Sequence, residues 1–154
     1  MIHTIIGSVV SVLGIILLDR VTKIWALQEC EVTSVALNKY MDCVVVNNSG
    51  IAWSLFASNN SAVNLFLLAI ILLVTVVLAM QAYYRLRHKQ SALAEILIIA
   101  GSIGNSVDRI RYGYVIDFIH LHYNDFSWPV FNVADICIVV GIGLLFARMI
   151  SRKE

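Results

Sequence analysis

The chain has 154 residues, 60% of them hydrophobic and 14% charged, with a mean hydropathy of +0.84 and a formal net charge of +1. One domain, residues 1–154, fits this length, but an apolar content so far above the roughly 45–50% of soluble domains excludes a soluble globular fold and points to a polytopic membrane protein. Lys and Arg are scattered among apolar segments with no basic stripe, which excludes nucleic-acid binding as well.

The first predicted element is a membrane span over residues 2–18. It lacks a basic leading segment and runs straight into Asp19-Arg20 with no small-residue cleavage site, so it reads as a retained span and not as a signal peptide. Residues 32–56 are rich in Val and turn formers and are broken at Asn47-Asn48-Ser49-Gly50, which predicts short strands joined by a turn. Residues 62–84 carry no charge and end in Arg85, Arg87, His88 and Lys89, a second span with a cytoplasmic basic flank. A third span over 91–110 holds Glu95 near its start and Asn105 and Asp108 near its end, with Gly101, Ser102 and Gly104 offering a small surface for close helix approach. The fourth, over 130–150, follows Pro129 and closes on Arg148, Arg152 and Lys153.

These elements predict an all-α membrane protein: a four-transmembrane-helix bundle, a small extracytoplasmic β-sheet segment over about 32–56 after helix 1, and a short extracytoplasmic helix or loop between helices 3 and 4. Four spans place both termini and the basic 85–91 loop in the cytoplasm. All acids except Glu95 and Glu154 then fall on or near the extracytoplasmic side, which becomes the working face.

The three cysteines, Cys30, Cys43 and Cys137, have no metal or redox-motif spacing. Cys30 and Cys43 are either a disulfide on an oxidising face or unpaired small apolar residues, and the plainer reading leaves them unpaired. The N-x-S matches at Asn47 and Asn59 read as chance.

Acids in so apolar a chain need a reason, because a charge at the bilayer centre costs about 2.5–3.5 kcal/mol on insertion scales. On a helix Asn105, Asp108 and Arg109 share one face, at i, i+3 and i+4. Asn132 stands where an N-cap belongs, which puts Asp135 in the first turn of the fourth span, and Asp117 is surrounded by Val115, Ile116, Phe118 and Ile119. For Asp108 and Arg109 a structural ion pair is the preferred reading. Asn132 and Asp135 also make sense as a helix cap alone, but for Asp117 and Asp135 chemistry outweighs structure. Two carboxyls about 4 Å apart repel by about 4 kcal/mol at an effective dielectric near 20, roughly three pKa units, so one proton is shared between them. That is the aspartic-peptidase arrangement, one carboxylate drawing a proton from water while the protonated partner polarises the scissile carbonyl. The helix N-terminus favours charge on Asp135 and leaves the proton on Asp117.

His120, His122, Tyr123, Trp128 and Phe131 read as interfacial anchoring or lid residues, since two carboxylates already supply acid and base, and Asp42 and Asp125 read as solvated loop acids. A small transporter or proton-conducting subunit is the rival reading. It expects acids near the bilayer midplane, whereas here they crowd one rim. A purely structural subunit leaves Asp117 and Asp135 without a purpose.

Five motifs in order give the chain a resemblance to the bacterial lipoprotein signal peptidases, the signal peptidase II family of aspartic peptidases. Asp19-Arg20-Val21-Thr22-Lys23 resembles the family's D-x-x-[ST]-K, Asn48-Ser49-Gly50-Ile51-Ala52-Trp53-Ser54 its N-x-G-A-A-[FW]-S, and Gly104-Asn105-Ser106-Val107-Asp108-Arg109 its G-N-x-x-D-R. The stretch from Gly113 to Phe118 resembles G-x-V-x-D-F, and that from Phe131 to Asp135 resembles F-N-x-A-D. The resemblance implies a membrane endopeptidase that cuts the signal peptide from a prolipoprotein just before its diacylglyceryl-modified cysteine, with neither metal nor cofactor. It places Asp117 and Asp135 in the catalytic positions. Asp19, Lys23, Asn48, Gly50, Asn105, Asp108, Arg109, Asn132 and Ala134 fall to orienting the dyad, binding substrate or holding the fold. Asn48 is either a substrate or ester contact, with Arg109, or a turn cap. Ile51 departs from the family's usual alanine. The resemblance further implies a monomer in the bacterial cytoplasmic (inner) membrane, in contact with membrane lipid and blocked by globomycin-type inhibitors. Each buried CH₂ anchors an acyl chain by about 0.8 kcal/mol, so such a substrate stays at the interface and the dyad must meet it there.

Overall fold

A computed structural model describes residues 2–50 and 61–151. The predicted strand over 51–56, with the Ile51-Ala52-Trp53-Ser54 end of its motif, lies outside the described residues, as do Arg152 and Lys153.

Helix α1 spans Ile2–Cys30, well past the predicted stop at residue 18. Asp19 and Lys23 do not end it because they stand at i, i+4, pair at 2.8 Å and point away from lipid into the protein. Strands β1 (Val35–Asn38) and β2 (Met41–Asn48) follow, then α2 (Ser61–Arg87) and α3 (Leu93–Tyr112). The connection between α3 and the last helix is neither the short helix nor the loop expected. It contains strand β3 (Val115–Tyr123) and the short β4 (Phe126–Ser127), before α4 (Val133–Ser151). The run Val-Ile-Asp-Phe-Ile-His-Leu-His-Tyr is β-branched and aromatic, and it finds β2 as a partner. The result is one antiparallel sheet in the order β1-β2-β3-β4, so the fold is mostly helical with a small sheet, not all-α.

Helices α1, α2 and α4 are long and apolar enough to cross a membrane. Most of their surface is exposed Leu, Ile, Val and Phe, as lipid contact requires. The central helix α3 packs against the other three and keeps Glu95, Ser106 and Asp108 turned inward, with Ala94, Ile98 and Gly101 along the same buried side. A Cβ on Gly101 would stand 2.4 Å from the Ala134 carbonyl oxygen, so α3 and α4 nearly touch one residue before Asp135. Gly113, at φ 82°, ends α3 in the left-handed conformation and donates its N–H to the Arg109 carbonyl at 3.0 Å. That turn sends the chain directly into β3.

Cys30 and Cys43 form a disulfide, contrary to the unpaired reading, and tie the last residue of α1 to β2. Around them Ala26 and Phe118 complete a small core backed by Val45, Ile119 and Val133. Sequence could place the two thiols in one segment, but only the antiparallel sheet turns Cys43 onto the end of α1.

The near-contact at Gly101 gives a test. Gly101→Ala is expected to destabilise by about 1–3 kcal/mol because it pushes against backbone, while Gly143→Ala, which meets nothing within 4 Å, leaves stability unchanged or higher. Thermal unfolding in detergent distinguishes them, and equal melting temperatures would count against the packing described.

Candidate active site

Asp117 is the third residue of β3 and Asp135 lies in the first turn of α4. What brings them together is the backbone pairing of Phe131 with Ile119, with N–H···O bonds of 3.0 and 2.8 Å in the two directions. That pairing sets the next residue, Asn132, beside the strand. Its side-chain Oδ1 accepts the Asp135 N–H at 2.9 Å and Asp135 Oδ2 accepts the Asn132 N–H at 3.1 Å, a reciprocal cap of α4. The other end of the same amide, Nδ2, donates to Asp117 Oδ1 at 2.6 Å.

The remaining oxygens are held in the same manner. Asn48 Nδ2 donates to Asp117 Oδ2 at 2.9 Å, and Asn105 Nδ2 donates to Asp135 Oδ1 at 2.8 Å. Each of the four carboxyl oxygens therefore accepts one protein N–H. Every oxygen keeps a second lone pair for a water molecule or a substrate group.

Behind the acids is a buried ion cluster. Lys23, fully buried in α1, donates to Asn105 Oδ1 at 2.9 Å and stands 2.8 Å from Asp19 Oδ2 and 2.7 Å from Asp108 Oδ2. Arg20 Nη2 donates to Asp108 Oδ1 at 2.5 Å, and Asp19 Oδ1 accepts the Ala134 N–H at 3.0 Å. Two acids and two bases balance, which a site this deep requires, because an uncompensated buried charge costs several kcal/mol. The ammonium and Asn132 Nδ2, the latter at 3.1 Å, together fix the Asn105 amide: with Oδ1 accepting from both, the NH₂ must face Asp135.

The expected Asp108–Arg109 ion pair is replaced. Asp108 turns to Arg20 and Lys23 on α1, while Arg109 Nη2 donates to the Gly50 carbonyl. Asn48 caps the turn, its Oδ1 accepting the Gly50 N–H at 2.9 Å, and its Nδ2 makes a bond the sequence did not suggest, to Asp117. Arg109 Nε and Nη1 are buried with no partner among the described residues, leaving two donors beside the acids.

All eleven positions singled out in sequence whose placement is described thus meet around one junction of α1, α3, β2, β3 and α4. The histidines do not. His122 Nε2 is 3.1 Å and His120 Nδ1 3.7 Å from Asp42 on β2, and His120 Nε2 pairs with Ser127 Oγ at 2.7 Å. Asp42 is accordingly half-buried in the sheet and not a solvated loop acid, whereas Asp125 is exposed in the β3–β4 turn. Sequence missed Arg20, although its place three residues before Lys23 puts both on neighbouring parts of one helix face. It also missed the cluster at the far end of α3, where Arg148 grips buried Glu95 at 2.6 and 3.2 Å with Arg85 3.6 Å away. Among the described residues no group of three or more His, Cys, Asp or Glu is placed to hold a metal ion.

Burial, and after it the charge of Asp135, push Asp117 up from 3.8 to about 7, against the hydrogen bonds from Asn48 and Asn132 and the charge of Lys23. At neutral pH this carboxyl is close to half protonated. It can donate as well as accept.

Residues 11–151 match the family model described as Signal peptidase (SPase) II. A lipoprotein signal peptidase of Clostridium acetobutylicum is 43% identical over 145 residues, 90% of each chain, and one of Clostridium tetani is 36% identical over 149 residues, 93% of this chain and 91% of that one. A bacterial membrane enzyme solved by the in meso method at 2.3 Å shares the fold, with a TM-score of 0.74 over 96% of this chain and 90% of that one at 21% identity. With its apolar helices, this places the protein among multi-pass membrane peptidases of the aspartic type. The chain belongs to the signal peptidase II family.

The elevated Asp117 has a consequence for stability. The folded state holds this proton up to about pH 7 and the unfolded chain only up to 3.8, so between those values folding takes up a proton and the contribution of Asp117 declines as pH rises. Across the whole interval the decline amounts to about 4 kcal/mol. Melting temperatures of the wild type and Asp117→Asn measured against pH should converge on this slope difference, the variant lacking the fall. Parallel curves would contradict it.

Proposed function

We propose that this chain is a single integral membrane peptidase domain that removes the signal peptide from diacylglyceryl-modified prolipoproteins, cutting before the lipid-modified cysteine, with Asp117 and Asp135 as the catalytic pair. The observation that carries this is the shared amide of Asn132, which holds one acid through its side chain and the other through its backbone N–H. In this reading Asp135 takes a proton from the attacking water and Asp117, protonated, donates a hydrogen bond to the scissile carbonyl as it becomes an oxyanion. Proton return to the leaving amine completes the cycle. Asn48, Asn105 and Asn132 hold the acids, Lys23 holds Asn105 and is itself held by Asp108, Asp19 holds the start of α4, and the two Arg109 donors without a partner among the described residues bind substrate backbone or ester oxygens. Gly50 and Ala134 contribute backbone groups.

We further read α3 as a fourth span. Its exposed side carries Leu93, Val107 and Ile110, and its acids face the bundle. With four spans the protein sits in the bacterial cytoplasmic membrane, with both termini in the cytoplasm beside Arg85, Arg87, Lys89 and Arg148 and with the sheet and dyad at the extracytoplasmic face. The disulfide on that side suits an oxidising compartment. The protein acts as a monomer among membrane lipids, its substrate is a prolipoprotein, and globomycin-type inhibitors block the same site.

Membranes containing the protein should cleave a diacylated prolipoprotein precursor and leave the unacylated precursor uncut. Asp117→Asn and Asp135→Asn should each slow cleavage by about 10²- to 10⁴-fold at unchanged protein level. Processing at the wild-type rate by either variant would reject the assignment.

A further inference from the structure

Arg20 lies one residue after Asp19 in α1, a helix whose first 17 residues carry no acid or base apart from His3. The only hydrogen bond of its side chain among the described residues is from Nη2 to Asp108 Oδ1 at 2.5 Å, while Nη1 is buried without a partner among them. The other Asp108 oxygen lies 2.7 Å from Lys23 Nζ and 3.4 Å from the N–H of Ile116, the residue before Asp117. Lys23 in turn has three oxygens around one ammonium, those of Asp19 and Asp108, which are charged, and that of Asn105, which is neutral.

We propose that Arg20 is a positioning residue for the peptidase reaction: its charge takes up half of Asp108, so that Lys23 stays bonded to Asn105 and Asn105 stays bonded to Asp135. The inference rests on the reading of Asp117 and Asp135 as the catalytic pair. Without Arg20, two carboxylates compete for one ammonium. Coulomb attraction then draws that ammonium toward Asp19 and Asp108 and away from the neutral Asn105 oxygen. The Asn105 Oδ1 then keeps only the longer bond from Asn132 Nδ2, at 3.1 Å, and the donor that Asn105 offers Asp135 is held less firmly. An uncompensated negative charge also enters a cluster faced by Asp19 and Lys23 from α1, Asp108 and Arg109 from α3, Asp117 from β3 and Asp135 from α4. Because a single guanidinium nitrogen makes the contact, Arg20 serves as a point charge and not as a bidentate fork, and lysine can replace it.

The test is the pH dependence of precursor cleavage for Arg20→Gln, Arg20→Lys and the double variant Arg20→Gln with Asp108→Asn. Arg20→Gln should lower kcat with KM little changed and displace the profile to higher pH by about one unit, read as a loss of about tenfold on its acidic side. Arg20→Lys should keep the wild-type profile. The double variant, in which the cluster is again neutral, should return to the wild-type position. An Arg20→Gln profile superimposed on wild type overturns the proposal, as does an Arg20→Lys profile displaced as far as the glutamine one, or a double variant that stays displaced. If Arg20→Gln does not accumulate in membranes, the other two decide. Asp117→Asn and Asp135→Asn assayed alongside separate the failures: if both stay inactive while Arg20→Gln is unmoved, only the role of Arg20 falls.

Discussion

One planar amide sets the separation of the two acids. Asn132 caps α4, and capping commits its carbonyl oxygen to the N–H of Asp135. Because O and N of an amide lie on opposite sides of one carbon, the NH₂ then faces away from the helix and toward the strand, where Asp117 accepts it. Neither choice is free once the other is made. The Phe131–Ile119 pairing fixes where Asn132 enters, and Gly113 and the close approach of α3 and α4 at Gly101 fix where β3 and α4 begin. A helix cap, ordinarily worth about 1 kcal/mol, here becomes the gauge between two carboxyls from different elements.

The rest of the polar interior keeps that gauge rigid in an apolar surrounding. Lys23 and Asn132 decide how Asn105 faces, and Asp19 holds the first turn of α4 through the Ala134 N–H. At the opposite end of α3, Arg148 and Arg85 neutralise Glu95 and clamp the ends of α2, α3 and α4. Buried ion clusters add little net stability, since desolvation offsets most of the attraction, but breaking one is expensive. They select a single packing. A bundle whose outer surface is interchangeable Leu, Ile and Val gains its definite helix orientations from these two charged knots.

The sequence revealed the elements wherever physics is local. Apolar runs marked α2 and α4 to within a few residues, and the apolar neighbours Val115, Ile116 and Phe118 marked Asp117 as buried, which it is. It failed where a distant partner changes what a residue means. The charges at Asp19 and Lys23 look like the end of a span until Asp108, on another helix, takes them inside. Residues 115–123 look like a loop or short helix until β2 supplies a ladder, and Cys30 and Cys43 look unpaired until the same ladder turns one onto the other. Asn48 reaches Asp117 across 69 residues and Arg20 reaches Asp108 across 88, contacts that no periodicity encodes.

All of this depends on Asp117 and Asp135 facing one another closely enough for the charge of one to alter the proton affinity of the other. The most direct measurement is the pH titration of the Asp117 carboxyl carbon by ¹³C NMR, in the wild type and in Asp135→Asn. The account predicts a midpoint near 7 in the wild type and a lower one once Asp135 carries no charge. A midpoint in the ordinary carboxylate range, or one that Asp135→Asn leaves in place, would contradict it.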